Sequence, residues 1–237
     1  MRRRHERGPE SLTRGLLRCG VVAGPLFVTT FLVEGATRAD YNALRHPVSG
    51  LALGPGGWVQ TANFAVTGAL YLASAAGLSR SAEPATGTGV GPILIAAAAV
   101  GLLGSATFIT DPVSGYPPGT PGMPTGYSTC GALHDLFAVP TFLGLPAAAT
   151  AYARVSHRNG NRGWTVYSLA TAVVMLASVG LASAAFNPLP TLVRLGGLFQ
   201  RVSVATGFAW LTALSARALR DRASRGMLDA TPEPMPH

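Results

Sequence analysis

The chain has 237 residues, of which 48% are hydrophobic and only 12% are charged. Soluble domains carry about 25% charged residues, so this composition excludes an ordinary soluble domain and indicates a membrane protein. All 18 basic residues are Arg, and the net charge is +8. Because they cluster at the ends of apolar segments, where they would face anionic headgroups, we predict membrane lipid as the partner and not nucleic acid. The absence of Lys, with abundant Ala, Gly and Pro, suggests a bacterial source.

Six apolar segments follow one another along the chain, and each is long enough to cross the roughly 30 Å core of a bilayer. We predict an all-α fold, a polytopic bundle of six transmembrane helices at residues 16–33, 59–78, 90–110, 131–152, 164–186 and 196–219. Residues 1–15 are predicted to form a basic cytoplasmic arm, and the polar residues 220–237 a disordered cytoplasmic tail. Glu34 stands where small residues should precede signal cleavage, so we expect the first helix to be retained.

Two long loops are predicted on one side of this bundle. The first occupies residues 34–58. The second loop begins at Asp111, in the stretch from Asp111 to Asp135. It is too rich in Pro and Gly to form a helix or a strand. Its prolines around Tyr116 are expected to stiffen it into a lid. Both loops are therefore predicted to be structured.

Arginine is distributed unequally between the two sides of the predicted bundle. Fourteen arginines lie on the side of both termini, and the other side has four: Arg38, Arg45, Arg194 and Arg201. The positive-inside rule therefore predicts a multi-pass protein of the cell membrane with both termini in the cytoplasm. The two long loops would then face outward.

The outer side also carries four acidic residues, a balance that suggests pairing with its four arginines. We expect Glu34 and Asp111 to lie at the C-terminal ends of the first and third helices. The helix dipole disfavours a carboxylate at that end. Each should therefore need an Arg or another donor, and Arg45 and Arg201 are the expected partners.

Polar residues near the outer helix ends form the candidate site. One interpretation gathers them in a single outward pocket that binds a small or lipid-like ligand: Glu34, Arg45, His46, Ser49, Asp111, His134, Asp135, Gln200 and Arg201. The other interpretation is that these residues cap helices and pair with one another. The sequence leaves both open.

Three of these residues are candidates for catalysis. His134 could act as a general base, alone or with Asp111, and Asp135 is the third candidate. Asp135 is also suited to cap the fourth helix, because the dipole favours an acid in the first turn. Arg201, early in the sixth helix, needs either an acid or an anionic headgroup beside it.

A metal site is a further possibility in the same region. His46, Asp111 and His134 are the candidate ligands, since zinc is bound by His and Asp side chains. Their spacing matches no metal-binding motif, so we predict no cofactor and keep zinc as an alternative.

Some residues inside the helices are expected to serve packing or anchoring. Four glycines should allow helices to approach closely rather than mark a ligand site: Gly68, Gly101, Gly104 and Gly180. Pro140 and Pro146 should kink the fourth helix. Trp58, Trp164 and Trp210 fall near predicted helix ends and are expected to anchor the protein at the membrane interface.

Several segments resemble one known family. They are RHPVSGLALGPGGWVQTANF, TDPVSGYPPGTP, GALHDLF, WTVYS and LFQRVSVATGFAWL. Together they are similar to a bacterial and archaeal membrane family known as domain-of-unknown-function family 998, over roughly residues 15–220. The resemblance implies a polytopic helical membrane protein without a settled activity. Transmembrane hydrolases related to ceramidases are also helical bundles with a metal site, but this chain lacks their paired histidines on a late helix.

Two classes of function follow. The first is a non-enzymatic membrane protein that binds or moves a small or lipid-like ligand. The second is a membrane hydrolase or transferase that acts on lipids at the outer face, in which Asp111, His134 and Arg201 should converge. Ion transport would need polar residues at the bilayer midplane, whereas the mid-helix positions are mainly Ala, Leu, Val and Gly.

Overall fold

The computed structural model describes residues 7–81, 89–122, 126–186 and 192–228. Over these residues the chain is built from helices, as the sequence predicts. We number the long helices in chain order as α1 Arg7–Thr37, α2 Trp58–Arg80, α3 Val90–Thr107, α4 Thr129–Arg158, α5 Arg162–Phe186 and α6 Gly196–Leu228. Short 3-10 turns at Val48–Ala52 and Val193–Leu195 lie in the connections.

Two helices extend well beyond the predicted apolar segments. α1 begins at Arg7, inside the predicted arm, and α6 continues to Leu228, inside the predicted tail. The 31 residues of α1 make a helix about 46 Å long, which exceeds a hydrocarbon core of roughly 30 Å. Hydropathy therefore predicts the apolar part of a helix and misses the polar turns at its ends. Residues 1–6 and 229–237, the rest of the arm and tail, lie outside the described residues.

Five of the helices are long and apolar enough to cross a membrane, and α2 is the exception. α2 has 23 residues, which is long enough. Its buried face, however, carries polar side chains: Gln60, Asn63, Thr67, Tyr71 and Ser74. The low mean hydropathy of α2 therefore comes from the polar side chains that it packs against the other helices.

α1 packs between α2 and α6 and runs antiparallel to both. Gly20 of α1 lies against Ser74 of α2 and Ser215 of α6, whose hydroxyl oxygens are 3.0 Å apart. A Cβ at this position would collide with both oxygens, so only glycine permits the approach. Gly24, one turn further on, lies in the same way against α6.

The glycines named from the sequence divide into two groups. Gly101 and Gly104 of α3 lie against Phe137 of α4, and Gly68 of α2 lies against α3. These three serve close packing, as predicted. Gly180 of α5 does not, because nothing lies within 4 Å of the place that its Cβ would take.

α4 is interrupted at Pro140, which confirms the predicted break. Residues Pro140–Gly144 form a π-helical turn between the α-helical segments Thr129–Val139 and Leu145–Arg158. Proline has no N–H and its ring excludes the carbonyl four residues earlier, so the α-helical hydrogen bonds cannot continue there. The two halves of α4 consequently have different neighbours. The first half packs on α3, whereas the second half packs on both α3 and α5.

α5 and α6 pack antiparallel and bury Trp210 completely. Its indole N–H donates to the Ser168 hydroxyl at 3.0 Å. The prediction of an interface anchor is therefore wrong for Trp210, because α6 runs from Gly196 to Leu228 and places this residue near its middle. Trp58, at the start of α2, is 73% exposed.

Candidate functional site

A cavity of about 630 Å³ lies between the helices at the loop-rich end of the bundle, which is the end formed by residues 38–57, 108–122 and 126–128. Its floor is apolar and includes Phe27, Phe64, Leu102, Val204 and Phe208. Its rim is polar and includes Ser49, Thr110, Asp111, Tyr127, His134, Asp135 and Gln200. Ligand-binding cavities have this combination of apolar lining and few polar groups, with volumes of about 300–1,000 Å³.

The cavity opens sideways between α4 and α5. Val139 and Leu143 of α4 and Leu176 of α5 line it and are still between 46% and 54% exposed. Among the described residues, the first half of α4 packs on α3 and has no comparable contact with α5 or α6. Side chains that line a cavity and are also exposed mark its opening. These three residues lie in helices that are long and apolar enough to cross a membrane.

His134 contributes a buried nitrogen to this cavity. The side chain is 4% exposed, and its Nδ1 lies 2.8 Å from the carbonyl oxygen of Phe108. A carbonyl oxygen can only accept, so Nδ1 carries a proton, and Nε2 keeps its lone pair when the ring is neutral. No described residue forms a hydrogen bond with Nε2. The ring is thus fixed in one tautomer, with an acceptor nitrogen left for a ligand.

Asp111 is bound by the start of α4 and not by an arginine. Its Oδ2 accepts from the backbone N–H of Ser128 at 2.8 Å and its Oδ1 from the Ser128 hydroxyl at 2.6 Å. Ser128 Oγ in turn accepts from Gly131 N and caps α4. The prediction that Asp111 ends the third helix is wrong, because α3 ends at Thr107. The carboxylate lies instead at the N-terminal end of α4, where a helix dipole favours negative charge.

Asp135 and Gln200 are the other polar rim residues named from the sequence. Asp135 is exposed, and no described residue donates a hydrogen bond to it. It lies beyond the first turn of α4, which Ser128 caps, so the expected capping role is wrong for Asp135. Gln200 accepts through Oε1 from the backbone N–H of Val48 at 2.6 Å, which ties the first loop to α6.

Arg201 lies beneath the first loop and does not line the cavity. Its guanidinium group donates to the carbonyls of Ala43, His46 and Gly197 at 2.6, 2.9 and 3.0 Å and to the Tyr41 hydroxyl at 2.6 Å. Carbonyl oxygens and a phenol therefore bind this buried cation, in place of the acid or anionic headgroup that the sequence suggests. Arg201 therefore holds the first loop on α6.

Glu34 pairs with Arg38 rather than with Arg45 or Arg201, so the predicted pairing is wrong. The Glu34 carboxylate lies 2.6 Å from the Arg38 guanidinium group, four residues further along the chain. Arg38 also donates to three backbone carbonyls between residues 51 and 55 and fastens the second half of the first loop. Arg45 is half-buried and lies outside the cavity lining.

His46 lies in an aromatic cluster that joins the two loops. Its ring stacks on Tyr116 at 5.2 Å, and Tyr116 meets Tyr41 edge-on at 5.1 Å. Burial, and then the nearby charge of Arg45, lowers the pKa of His46 below its usual 6.5. Burial likewise raises the pKa of Tyr41 to about 12. Tyr116 therefore fastens the central loop onto neutral rings of the first loop.

A column of polar side chains deep in the bundle was not predicted from the sequence. Gln60, Asn63, Thr67, Tyr71 and Ser74 of α2 are each 5% exposed or less, and the column extends over about 21 Å of helix. Among the described residues, one buried polar atom has no hydrogen-bond partner in each of Gln60, Asn63, Thr67 and Tyr71. The expectation that mid-helix positions are apolar is therefore wrong for α2. The spacing of three and four residues, which places all five on one helix face, was the available signal.

The described residues contain no group of three or more His, Cys, Asp or Glu side chains that could hold a metal ion. His46 belongs to the loop cluster and does not line the cavity. Asp111 and His134 do line it, but the two Asp111 oxygens and His134 Nδ1 bind protein groups. The three candidates therefore do not form the zinc ligand set considered from the sequence.

The comparison with protein families agrees with the resemblance found in the sequence. The model of the family described as Protein of unknown function (DUF998) matches residues 21–217, which include the cavity and its opening. No curated protein and no solved structure matches the chain. The family match covers most of the chain, and the helices have the length and composition to cross a membrane. This chain therefore belongs to the DUF998 family of proteins of unknown function, and its apolar helices indicate a membrane protein.

Proposed function

We propose that this protein binds an amphiphilic, lipid-like ligand in the cavity and does not transform it. One observation carries the proposal. An apolar floor, a polar rim and a sideways opening between two apolar helices belong to a single cavity of about 630 Å³. A ligand with an apolar chain and a polar headgroup matches that division, and such a ligand reaches the opening from within the bilayer.

The proposed placement in the membrane follows from charge and packing. In this placement all six helices cross the bilayer, α2 included, because α2 packs on α1 and α3 with its polar face buried. Arginine is concentrated on the side of the termini, and the positive-inside rule supports a cytoplasmic position for that side. The loop-rich end then faces outward, and the cavity opens into the outer half of the bilayer.

Burial of the ligand's chain stabilises the bound ligand relative to water but not relative to the bilayer. Each methylene group that leaves water contributes about 0.8 kcal/mol. A chain that comes from the bilayer is already out of water, so shape and the headgroup contacts decide selectivity between ligands. The exposed flanks of α4 and α5 then provide the route of access.

A hydrolase or transferase at the outer face is the second candidate, and one observation favours it. His134 has the arrangement of a general base, with Nδ1 held by a carbonyl and Nε2 facing no protein donor or acceptor. Arg201, which the sequence places in the same catalytic group, is bound elsewhere. Release of fatty acid or headgroup from lipid vesicles by wild type, and its loss in His134→Gln, would support this candidate.

Photolabelling tests the binding proposal directly. The purified protein in lipid nanodiscs would be labelled with a lipid that carries a diazirine in its acyl chain, and the modified residues mapped by mass spectrometry. The proposal expects labels concentrated on the cavity residues of α4 and α5, and loss of these labels when excess unlabelled lipid competes. Even labelling of all lipid-facing surfaces, including the exposed Leu32 and Val33 of α1, would contradict it.

A further inference from the structure

We infer that the headgroup of the ligand is a cation or a hydrogen-bond donor, such as an ammonium group, and not an anion such as phosphate. The inference rests on the proposed function and names the chemical class that the polar rim selects. It rests on the charges of the rim, on the acceptor nitrogen of His134 and on the lack of arginine in the described cavity lining.

The charged residues of the described cavity lining are acidic. Asp111 and Asp135 line the cavity, whereas no arginine does in the part of the chain that the structure describes. Asp111 is already bound by Ser128, but each carboxylate oxygen can accept more than one hydrogen bond. Asp135 has no described donor at all. An approaching anion would meet like charge, and a cation would meet opposite charge.

His134 provides an independent reason to expect a donor in the headgroup, because this reason does not depend on net charge. Its ring is 96% buried from solvent, lines the cavity, and presents Nε2 as an acceptor. Nε2 is not among the described buried atoms that lack a partner, so it is open to the cavity, where it can accept from a donor that enters. An ammonium or a hydroxyl group supplies that donor, whereas a phosphate dianion does not.

None of the four arginines at this end of the bundle lines the cavity, as far as the described residues show, and two of them are engaged elsewhere. Arg201 donates to three carbonyls and to Tyr41, and Arg38 is paired with Glu34. Release of either guanidinium group for a ligand would leave buried acceptors without donors. Tyr127, which lines the mouth and is 67% exposed, adds an aromatic face of the kind that binds ammonium groups.

Three probes with the same alkyl chain and different headgroups test the inference: a long-chain alkylamine, the matching alcohol and the matching alkyl phosphate. Each would compete with a fluorescent amphiphile for the wild-type protein in detergent of neutral headgroup. We expect the amine to bind most tightly and the phosphate most weakly. Equal competition by all three would overturn the inference and leave the proposed function standing. No competition by any of them would contradict the proposed function itself.

Two isosteric variants locate the effect. Asp135→Asn removes the charge at the rim and should weaken binding of the amine about 1.5- to 5-fold, as expected for one exposed charge pair, while binding of the alcohol stays unchanged. Asp40→Asn is the matched control. Asp40 is exposed at the same end, does not line the cavity, and has a positive φ of 57° that Asn also adopts readily. Equal amine affinity in wild type and Asp135→Asn, or equal losses in both variants, would overturn the inference.

Discussion

The Nδ1 atom of His134 and the carbonyl oxygen of Phe108 are 2.8 Å apart, a hydrogen bond that joins α4 to the chain just after α3. The bond has two consequences. It closes the loop-rich end of the α3–α4 pair, and it fixes the tautomer of a histidine on the cavity wall. One side chain therefore links the stability of the loop to the chemistry of the rim.

The contact between Asp111 and Gly131 predicts a stability change. A Cβ at residue 131 would collide with the Asp111 carboxylate, so Gly131→Ala should displace it from Ser128. Loss of these two hydrogen bonds to the carboxylate should lower the free energy of unfolding by about 1.5–3 kcal/mol. The measurement is thermal unfolding in detergent, with Gly163→Ala as control, since nothing lies within 4 Å of a Cβ there. Equal melting temperatures in the two variants would contradict the close contact.

His46 predicts that the loop-rich end loosens in acid. Its pKa is lowered in the folded protein, so the unfolded state takes up a proton first as the pH falls through 6.5. The contribution of His46 to stability is therefore complete above 6.5 and is lost as the pH falls toward the lowered value.

The measurement is the melting temperature of wild type and His46→Gln between about pH 7.5 and 5, a range that brackets the usual histidine pKa. Gln retains an acceptor for the backbone N–H of Asn42 but does not titrate. We expect the acid-induced decrease to be smaller in His46→Gln. An identical decrease in both proteins would show that other groups cause it.

The polar column in α2 predicts opposite effects for two similar truncations. The Tyr71 hydroxyl is buried without a described partner, so Tyr71→Phe should leave the melting temperature unchanged or raise it. Ser74 is hydrogen-bonded to Ser215 at 3.0 Å, and Ser74→Ala should lower the free energy of unfolding by about 1 kcal/mol. A larger loss in Tyr71→Phe than in Ser74→Ala would show that the tyrosine hydroxyl has a partner in the membrane.

Hydrophobic runs were sufficient to predict the six helices and their order, because each run is long and bounded by charge, Gly or Pro. They could not predict where α1 and α6 end, since helical hydrogen bonds continue into polar turns. Average hydropathy also concealed the character of α2. Its polar residues are spaced along one face among apolar ones, and only their periodic placement distinguishes a buried polar face from scattered surface residues.

The candidate site was predicted in composition but not in arrangement. Asp111, His134, Asp135 and Gln200 do line one cavity, since each lies at or beside the end of a predicted helix on the same side. Arg201 is only one residue from Gln200, yet it projects beneath the loop, because consecutive helical residues point about 100° apart. The pairing of Glu34 with Arg38 was also missed. Arg38 was assigned to the first loop, whereas it lies one helical turn beyond Glu34.

The two native cysteines test the proposed orientation. Cys130 is exposed at the start of α4, at the loop-rich end, whereas Cys19 lies within α1. We expect a membrane-impermeant maleimide to label Cys130 in intact cells that express Cys19→Ser. Labelling only after permeabilisation would reverse the orientation, and Cys130→Ser gives the background.

The most direct test of the ligand cavity is to fill it at Gly180. Gly180 lines the cavity and has open space where its Cβ would lie, so Gly180→Leu should fill that space without disturbing the helices. Gly163→Leu is the matched control, because it makes the same change in the same helix away from the cavity lining.

The measurement is equilibrium binding of a fluorescent long-chain amphiphile to the three purified proteins, after their melting temperatures have been shown to be similar. The account predicts wild-type affinity in Gly163→Leu and at least about a tenfold loss in Gly180→Leu, the equivalent of 1.4 kcal/mol. Undiminished binding in a folded Gly180→Leu protein would contradict the claim that this cavity is the ligand site.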